Sequence, residues 1–416
     1  MINLSDIERA RETLRKVVRH TPLMTSPTIS ALCHRDSTAP DEGVYLKAET
    51  LQRTGSFKVR GAYNRLSFVP DGDRAKGIVT ASAGNHAQGV ALAANLLGIP
   101  ATVFMPETGS IAKIQATKGY GCDVVLEGRT FEEAVIAAHN FQKRKGALFI
   151  PAYDDEAVIA GQGTIALEIL EDLPDLDCIV IPIGGGGLFA GVSAAIRAVK
   201  PKVHIIGVQA AGADNAVRSF HAGRLLPRVE PIDTICDGIA VKSPSPLTFE
   251  YIQKFADELV TVDDVSVSSS LLLLVQRIKL VVEPSGAAPL AALLSERAKP
   301  RGKTVVLLSG GNIDSKLLSD LIQREMIKEN RYQLIFTAVQ DKPGSLAHLL
   351  DAVASQKANV LSVHHDRLSP NIRLGWTGVE VLVEVRDKDH GSQLVKALRA
   401  RDYPVEMLED RRCIEE

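Results

Sequence analysis

The sequence predicts an α/β protein with parallel twisted sheets, followed by a smaller ferredoxin-like domain, on three observations. Short apolar runs alternate with helix-length segments over 77–143 and again over 178–309, as parallel strands joined by helices do. Three glycine-bearing loops stand where such strands end. The last stretch reads strand, helix, strand, strand, helix, strand, the βαββαβ order of a ferredoxin-like fold. At 416 residues the chain is long for a single core. These patterns divide it into a portion 1–328, in two lobes with the smaller over roughly 50–155, and a portion 329–416.

Taken in order, residues 5–19 carry Ile7, Ala10, Leu14, Val17 and Val18 at helical spacing, with Ser5 or Asp6 as N-cap. Thr21-Pro22-Leu23 ends that helix. A strand over 44–49 leads into Ser56-Phe57-Lys58-Val59-Arg60-Gly61-Ala62, and a helix over 57–66 sets Lys58 near its start. Strands at 77–81, 101–105 and 122–126 alternate with helices over 85–97, 111–118 and 130–143. A second series places strands at 178–183, 203–209 and 304–309, with a helical region at 265–279. A charged helix over 316–328 and the polar connector Glu329-Asn330-Arg331 close the first portion. Beyond them come a strand at 332–339, the turn Asp341-Lys342-Pro343-Gly344 and a helix over 345–356. Strands at 360–367 and 376–385 flank a turn at 369–374, and a helix over 389–401 and a strand at 403–408 complete the order.

Composition narrows the function classes. Forty-eight basic against 50 acidic residues leave a net charge of −2, with no electrostatic footprint for nucleic acid or an anionic membrane. The longest apolar run, 271–275, is far short of the ~20 residues of a membrane helix. No secretory leader pattern opens the chain, so a cytoplasmic protein acting on small soluble ligands is expected. Cys33, Cys122, Cys178, Cys236 and Cys413 are scattered without metal-ligand spacing and read as reduced thiols.

Ligands of open parallel sheets collect at the C-terminal strand ends, where loops enter helix N-termini. Each unusual loop stands at such an end. Gly184, Gly185, Gly186 and Gly187, followed by Leu188, lack Cβ atoms, so successive N–H groups can converge on one anion beside a helix dipole. Neither Walker spacing nor Gly-x-Gly-x-x-Gly accompanies them, which favours a monophosphate. Ser82-Ala83-Gly84-Asn85-His86 offers a hydroxyl and N–H groups for a carboxylate, although Ser82 reads equally as a helix N-cap. His86 reads as an acid/base or as a packing residue. Ser309 ends an apolar strand, where its hydroxyl either meets a ring nitrogen or caps a helix. A monophosphate, an amine able to form a Schiff base and a hydroxyl for a ring nitrogen together describe pyridoxal 5'-phosphate.

Five motifs stand in one order: Gly55-Ser56-Phe57-Lys58-Val59-Arg60-Gly61-Ala62, Ala81-Ser82-Ala83-Gly84-Asn85-His86-Ala87-Gln88-Gly89, Ala160-Gly161-Gln162-Gly163-Thr164, Gly184 through Leu188, and Ser309-Gly310-Gly311-Asn312. In them the portion 1–328 resembles the two-lobed, tryptophan synthase β-like fold-type II pyridoxal-phosphate enzymes, most closely the threonine ammonia-lyases, or threonine dehydratases. The resemblance implies that Lys58 carries the cofactor and then removes the substrate α-proton, and that Phe57 packs on the pyridine ring. It gives Asn85 the 3-hydroxyl, Gly184 to Leu188 the phosphate, Ser309 the ring nitrogen, and Ser82, Gly84 and His86 the substrate carboxylate. The implied reaction is β-elimination and deamination of L-threonine to 2-oxobutanoate, with L-serine to pyruvate beside it. Serine dehydratase, serine racemase and threonine synthase share the cofactor residues and are the alternatives, with a non-catalytic amino-acid sensor as a different class. Serine racemases carry a second serine where Ala83 stands, so racemisation should be weak. They bind a divalent cation where Gln209 and Asn215 stand, so no tightly bound divalent metal is expected and a monovalent cation stays open.

The portion 331–410 resembles an ACT regulatory domain, with Asp341-Lys342-Pro343-Gly344-Ser345-Leu346 as its first turn. That resemblance implies an amino-acid effector, isoleucine or valine, received at Gly344 and Ser345 in a homo-oligomer, a dimer or tetramer. His364, His365 and Asp366 share a strand, where side chains alternate, and read as surface or interface residues.

Overall fold

Runs of Val, Ile and Leu bounded by glycine form the strands, as parallel strands covered on both faces require. The computed structural model describes residues 1–34, 43–228, 230–367 and 372–407. Cys413, position 408 and residues 369–371 of the expected turn lie outside the described residues. In chain order the first strands are β1 (Leu23–Thr25), β2 (Gly43–Ala48), β3 (Ile78–Ala81), β4 (Ala101–Met105), β5 (Asp123–Leu126), β6 (Leu148–Phe149) and β7 (Cys178–Pro182). They continue with β8 (His204–Ala210), β9 (Glu258–Val262), β10 (Lys303–Leu308), β11 (Tyr332–Gln340), β12 (Asn359–Asp366), β13 (Trp376–Glu384) and β14 (Glu406–Met407). Contacts group Met1–Asp314 as one unit and begin a second at Ser315, so the charged helix Ser315–Lys328 groups with the second.

The first unit holds two sheets. One runs β1-β2-β10-β7-β8-β9, parallel except for the edge strand β1. Its central strand β7 is buried at every residue and packs under Phe189, Val192 and Ile196 of the helix Gly187–Val199. The other sheet runs β5-β4-β3-β6, all parallel. The sequence leaves unstated that β2, which feeds Lys58, pairs in the first sheet directly beside β10. Three neighbouring parallel strands, β2, β10 and β7, therefore end at one sheet edge, and their following loops carry Lys58, Ser309 and Gly184.

Most elements fall within a residue or two of expectation. The first helix is shorter than 5–19 and spans Leu4–Leu14. Asn3 caps it by accepting from the Asp6 N–H while Asp6 accepts from the Asn3 N–H, a reciprocal pair that starts the helix ahead of Ser5. The motif Ala160-Gly161-Gln162-Gly163-Thr164 lies inside the helix Glu156–Asp172. Two interior glycines weaken helix propensity by about 1 kcal/mol each, which hides this helix in the sequence. Tertiary packing requires them. A Cβ on Gly161 would sit 2.6 Å from the Arg60 carbonyl oxygen, and one on Gly163 2.8 Å from that of Gly191.

The second unit follows the expected βαββαβ order, with an antiparallel sheet β12-β13-β11-β14. Along β11 buried and partly exposed residues alternate, because only one face is covered. Val339, Val381, Leu349 and Leu394 meet in its own core. His364, His365 and Asp366 are exposed on β12.

Helix Gly187–Val199 crosses Glu156–Asp172 so closely that a Cβ on Gly191 would lie 2.2 Å from the Ile159 carbonyl oxygen and 2.6 Å from the Gly163 nitrogen. Gly191→Ala should therefore destabilise the chain by about 1–3 kcal/mol in denaturant unfolding, as overpacking does. An unchanged midpoint would contradict this crossing.

Candidate active site

The segment before Lys58 is held by the loop after β10. Gly311 donates its N–H to the Gly55 carbonyl at 2.8 Å, Phe57 donates to the Ser309 carbonyl at 3.1 Å, and Ser56 forms an antiparallel bridge with Gly310. Gly55 adopts φ +70°, and a Cβ there would fall 2.5 Å from the Asn312 side-chain oxygen, so this crossing needs glycine. Helix Lys58–Ser67 begins at once, with Phe57 as N-cap. From the other sheet, helix Asn85–Leu97 presses on the same backbone, for a Cβ on Gly89 would lie 2.9 Å from the Lys58 carbonyl carbon.

The Lys58 amine donates to the Ala152 carbonyl at 3.2 Å and lies 5.1 Å from the centroid of the buried Phe57 ring. Burial lowers its pKa to about 8, although the Glu283 carboxylate pulls the other way. A neutral amine nucleophile is thus accessible close to neutral pH.

Beside it, the tetraglycine loop admits no side chains. Cβ atoms would fall 3.0 Å from the Ile239 Cα at Gly184, 2.3 Å from the Tyr153 ring at Gly185, 2.8 Å from the Thr248 Cβ at Gly186 and 2.8 Å from the Tyr153 Cβ at Gly187. Gly186, at φ +91°, caps the helix that begins at Gly187, and Leu188 is buried in its first turn. First-turn N–H groups of a helix have no intrahelical partner and point at its N-terminus, where an anion is favoured.

Ser82, Ala83, Gly84 and Asn85 follow β3 and are half-buried. Gly84, rather than Ser82, is the N-cap, and its N–H donates to the Ser82 hydroxyl at 3.2 Å. The His86 ring turns away from this loop and hydrogen-bonds the Ile150 carbonyl at 3.1 Å. Burial, with the nearby Lys58 charge, lowers its pKa to about 3, so it is a neutral donor and what His86 offers the loop is its backbone N–H. Ser309 is buried at the end of β10. Phe57, Lys58, Ser82, Asn85, Ser309 and the tetraglycine loop thus all lie at strand ends or helix starts of one unit. Gly344 and Ser345 lie in the other unit, where Gly344, at φ +90°, caps the helix Ser345–Ser355.

Sequence reasoning missed Glu283 and Tyr153. Glu283 is the N-cap residue before Pro284, and both its carboxylate oxygens accept from the Asn85 amide, at 2.7 and 3.0 Å. An acid directly before Pro-Ser-Gly at a helix start was the available signal. Gln209 accepts the Val217 N–H and Asn215 donates to the Pro227 carbonyl. Among the described residues no cluster of three His, Cys, Asp or Glu side chains could hold a metal, and no helix is long and apolar enough to cross a membrane. Burial pushes the Cys178 and Cys236 thiols up to about 12, leaving them poor nucleophiles.

These features fit pyridoxal 5'-phosphate: a cradle that any Cβ would fill, a helix N-terminus for phosphate and a desolvated amine beside an aromatic ring. Residues 14–311 match the family described as pyridoxal-phosphate dependent enzymes. The chain is 43% identical over 408 residues to the L-threonine ammonia-lyase of Thermotoga maritima and 45% identical over 409 residues to that of Geobacter sulfurreducens, covering 98% of this chain and all of each relative. Its structure is similar to that of maize serine racemase, with a TM-score of 0.72 and 33% identity over 79% of this chain and 99% of that one.

A lysine amine attacks an aldehyde only in its neutral form, and the neutral fraction of Lys58 rises as pH rises through about 8. The rate of cofactor uptake by the apoprotein, followed by visible absorbance, should therefore increase about tenfold per pH unit below that value and level off above it. A flat profile from pH 6 to 9 would contradict the desolvated amine.

Proposed function

The chain belongs to the pyridoxal-phosphate dependent enzymes, and from that premise we propose that it deaminates L-threonine to 2-oxobutanoate and ammonia, turning L-serine into pyruvate more slowly. The observation that carries this reading is the Lys58 amine, brought to a pKa of about 8 beside a glycine cradle. The names of the two full-length relatives supply the reaction. Serine lacks one methyl of threonine, a difference of about 1–3 kcal/mol in an apolar pocket.

When bound, pyridoxal 5'-phosphate supplies an aldehyde for the substrate amine and a conjugated ring that accepts the electron pair left at Cα. In this proposal the N–H groups from Gly184 to Leu188 hold its phosphate, Phe57 packs on its ring, Asn85 bonds its 3-oxygen and Ser309 faces its ring nitrogen. Ser82, Gly84 and His86 take the substrate carboxylate, with His86 acting through its backbone. Lys58 Nζ, neutral and close to the helix start, removes the Cα proton. A serine rather than an acid at the ring nitrogen favours early loss of the β-hydroxyl. One water leaves with that hydroxyl and one returns in hydrolysis of the released enamine, so the products are 2-oxobutanoate and ammonia with no net water. Ala83 brings no hydroxyl to its loop, which favours elimination over racemisation.

Lys58→Ala should lower 2-oxobutanoate release from L-threonine by about 10²–10⁴-fold or more, the range for loss of a positioned base. Activity near wild type would overturn the mechanism.

The second unit extends the reading to regulation. We propose that it is an ACT-like domain taking isoleucine or valine at Gly344 and Ser345 in a cytoplasmic homo-oligomer, with feedback on the first step towards isoleucine. The turn at Gly344, held at φ +90°, sets the first N–H groups of its helix at the surface. Isoleucine or valine should shift the threonine saturation curve of the full chain, and Gly344→Val, strained at that φ, should remove the shift. An undiminished shift in the variant would place the effector elsewhere.

A further inference from the structure

Asn85 sits in a chain of amides whose direction is set at both ends. The Asn312 amide nitrogen donates to the Thr54 backbone carbonyl at 2.8 Å, and a carbonyl can only accept. The same nitrogen donates to the Asn85 side-chain oxygen at 2.7 Å, so the Asn85 nitrogen must face the other way. There it meets Glu283, which is 4% exposed and accepts with both oxygens. Gly310 makes room for this contact, since a Cβ there would lie 2.4 Å from a Glu283 carboxylate oxygen and 3.2 Å from the Asn85 nitrogen.

The corner has unused hydrogen-bonding capacity. The Ser285 hydroxyl is 1% exposed, has no partner among the described residues and lies 2.9 Å from where a Gly238 Cβ would be. A Glu283 oxygen lies 3.5 Å from that same point. The charged groups facing Glu283 are Asp237 from the turn Asp237–Ile239, Lys113 from the helix Ile111–Gly119 and Lys58 from its own helix, with Lys113 paired to Asp237. Burial, reinforced by Asp237, raises the Glu283 pKa to about 7, against the Asn85 hydrogen bond, Lys113 and Lys58.

We propose that Glu283 is a positioning residue that holds the Asn85 amide in one orientation and takes up a proton when the anionic cofactor enters. The inference rests on the cofactor reading above and adds a proton to it. A dianionic phosphate ester with an ionisable ring oxygen, brought close to a buried carboxylate that titrates near neutrality, favours the carboxylic acid form. By linkage, binding then takes up a proton, and affinity falls as pH rises through the free-state value. The acid still accepts from Asn85 through its carbonyl oxygen, so the amide keeps its direction while a negative charge leaves the site.

Calorimetric titration of pyridoxal 5'-phosphate into the full-length apoprotein near pH 7.5, in two buffers of different ionisation enthalpy, counts the protons. Wild type should take up about half to three quarters of a proton more per chain than Glu283→Gln, and its affinity relative to that variant should fall several-fold from pH 6 to pH 8. Lys58 feels the Glu283 charge, so its own proton contribution changes with Glu283→Gln and is removed by repeating the comparison in a Lys58→Ala background. Glu283→Asp should keep the uptake, and so should Lys58→Ala when titrated about one pH unit higher, because loss of the Lys58 charge raises the Glu283 pKa; this variant decides the matter if Glu283→Gln fails to fold. Equal proton counts in wild type and Glu283→Gln, or no uptake by Lys58→Ala, would overturn the proposal. Turnover of L-threonine by wild type is assayed in parallel, so that its absence counts against the lyase reading while the proton count still judges Glu283.

Discussion

A primary amine partly buried at a helix start is the constraint on which the site depends. Lysine prefers to be charged and solvated, so its neutral form must be purchased with tertiary structure. Here the loop after β10 crosses the chain between Gly55 and Phe57 and anchors it by backbone hydrogen bonds at Gly55 and Phe57. Backbone contacts of this kind leave little freedom for the first turn of the Lys58 helix. The strand order makes the crossing possible, because β2 and β10 are parallel neighbours whose ends emerge side by side.

Behind that turn lies a buried cluster of charges. Arg60, fully buried, donates to both oxygens of Glu49 and of Glu168, and Lys47 reaches Glu168 at 2.8 Å. Such clusters add little net stability over a hydrophobic packing, yet removing one member strands the others without compensation. Their geometric effect is specific. Arg60 stands two residues past Lys58, and its partners come from the end of the large sheet and from the helix Glu156–Asp172. Close glycine contacts at Gly61, Gly89 and Gly161 complete the seat, each where a methyl group would strike a neighbouring backbone or side chain.

The amine and two ionisable groups near it are driven by burial towards their neutral forms: Lys58 downward, His86 downward and Glu283 upward. Low dielectric surroundings disfavour each charge for the same reason, and the residual attraction between Lys58 and Glu283 only partly opposes it. A site poised in this way can accept an anionic ligand and pass protons near neutral pH without large reorganisation.

Periodicity and glycine placement made the parallel strands, the C-terminal βαββαβ order and the tetraglycine loop legible in the sequence, because strand alternation, helix period and missing Cβ atoms are local properties. Lys58, Ser82, Asn85 and Ser309 could be singled out as chemical types at strand ends. The helix Glu156–Asp172 was hidden by its glycines, whose role is contact with other elements; β9 went unread, and Glu283, marked locally only by the Pro-Ser-Gly that follows it, shows its part only through its contact with Asn85. Tertiary structure alone decided that β2 lies beside β10 and β7, that the His86 ring faces Ile150, and that Asn85 is gripped between Asn312 and Glu283. These are distances between residues remote in the chain, set by sheet order and burial, and a one-dimensional pattern carries no record of them.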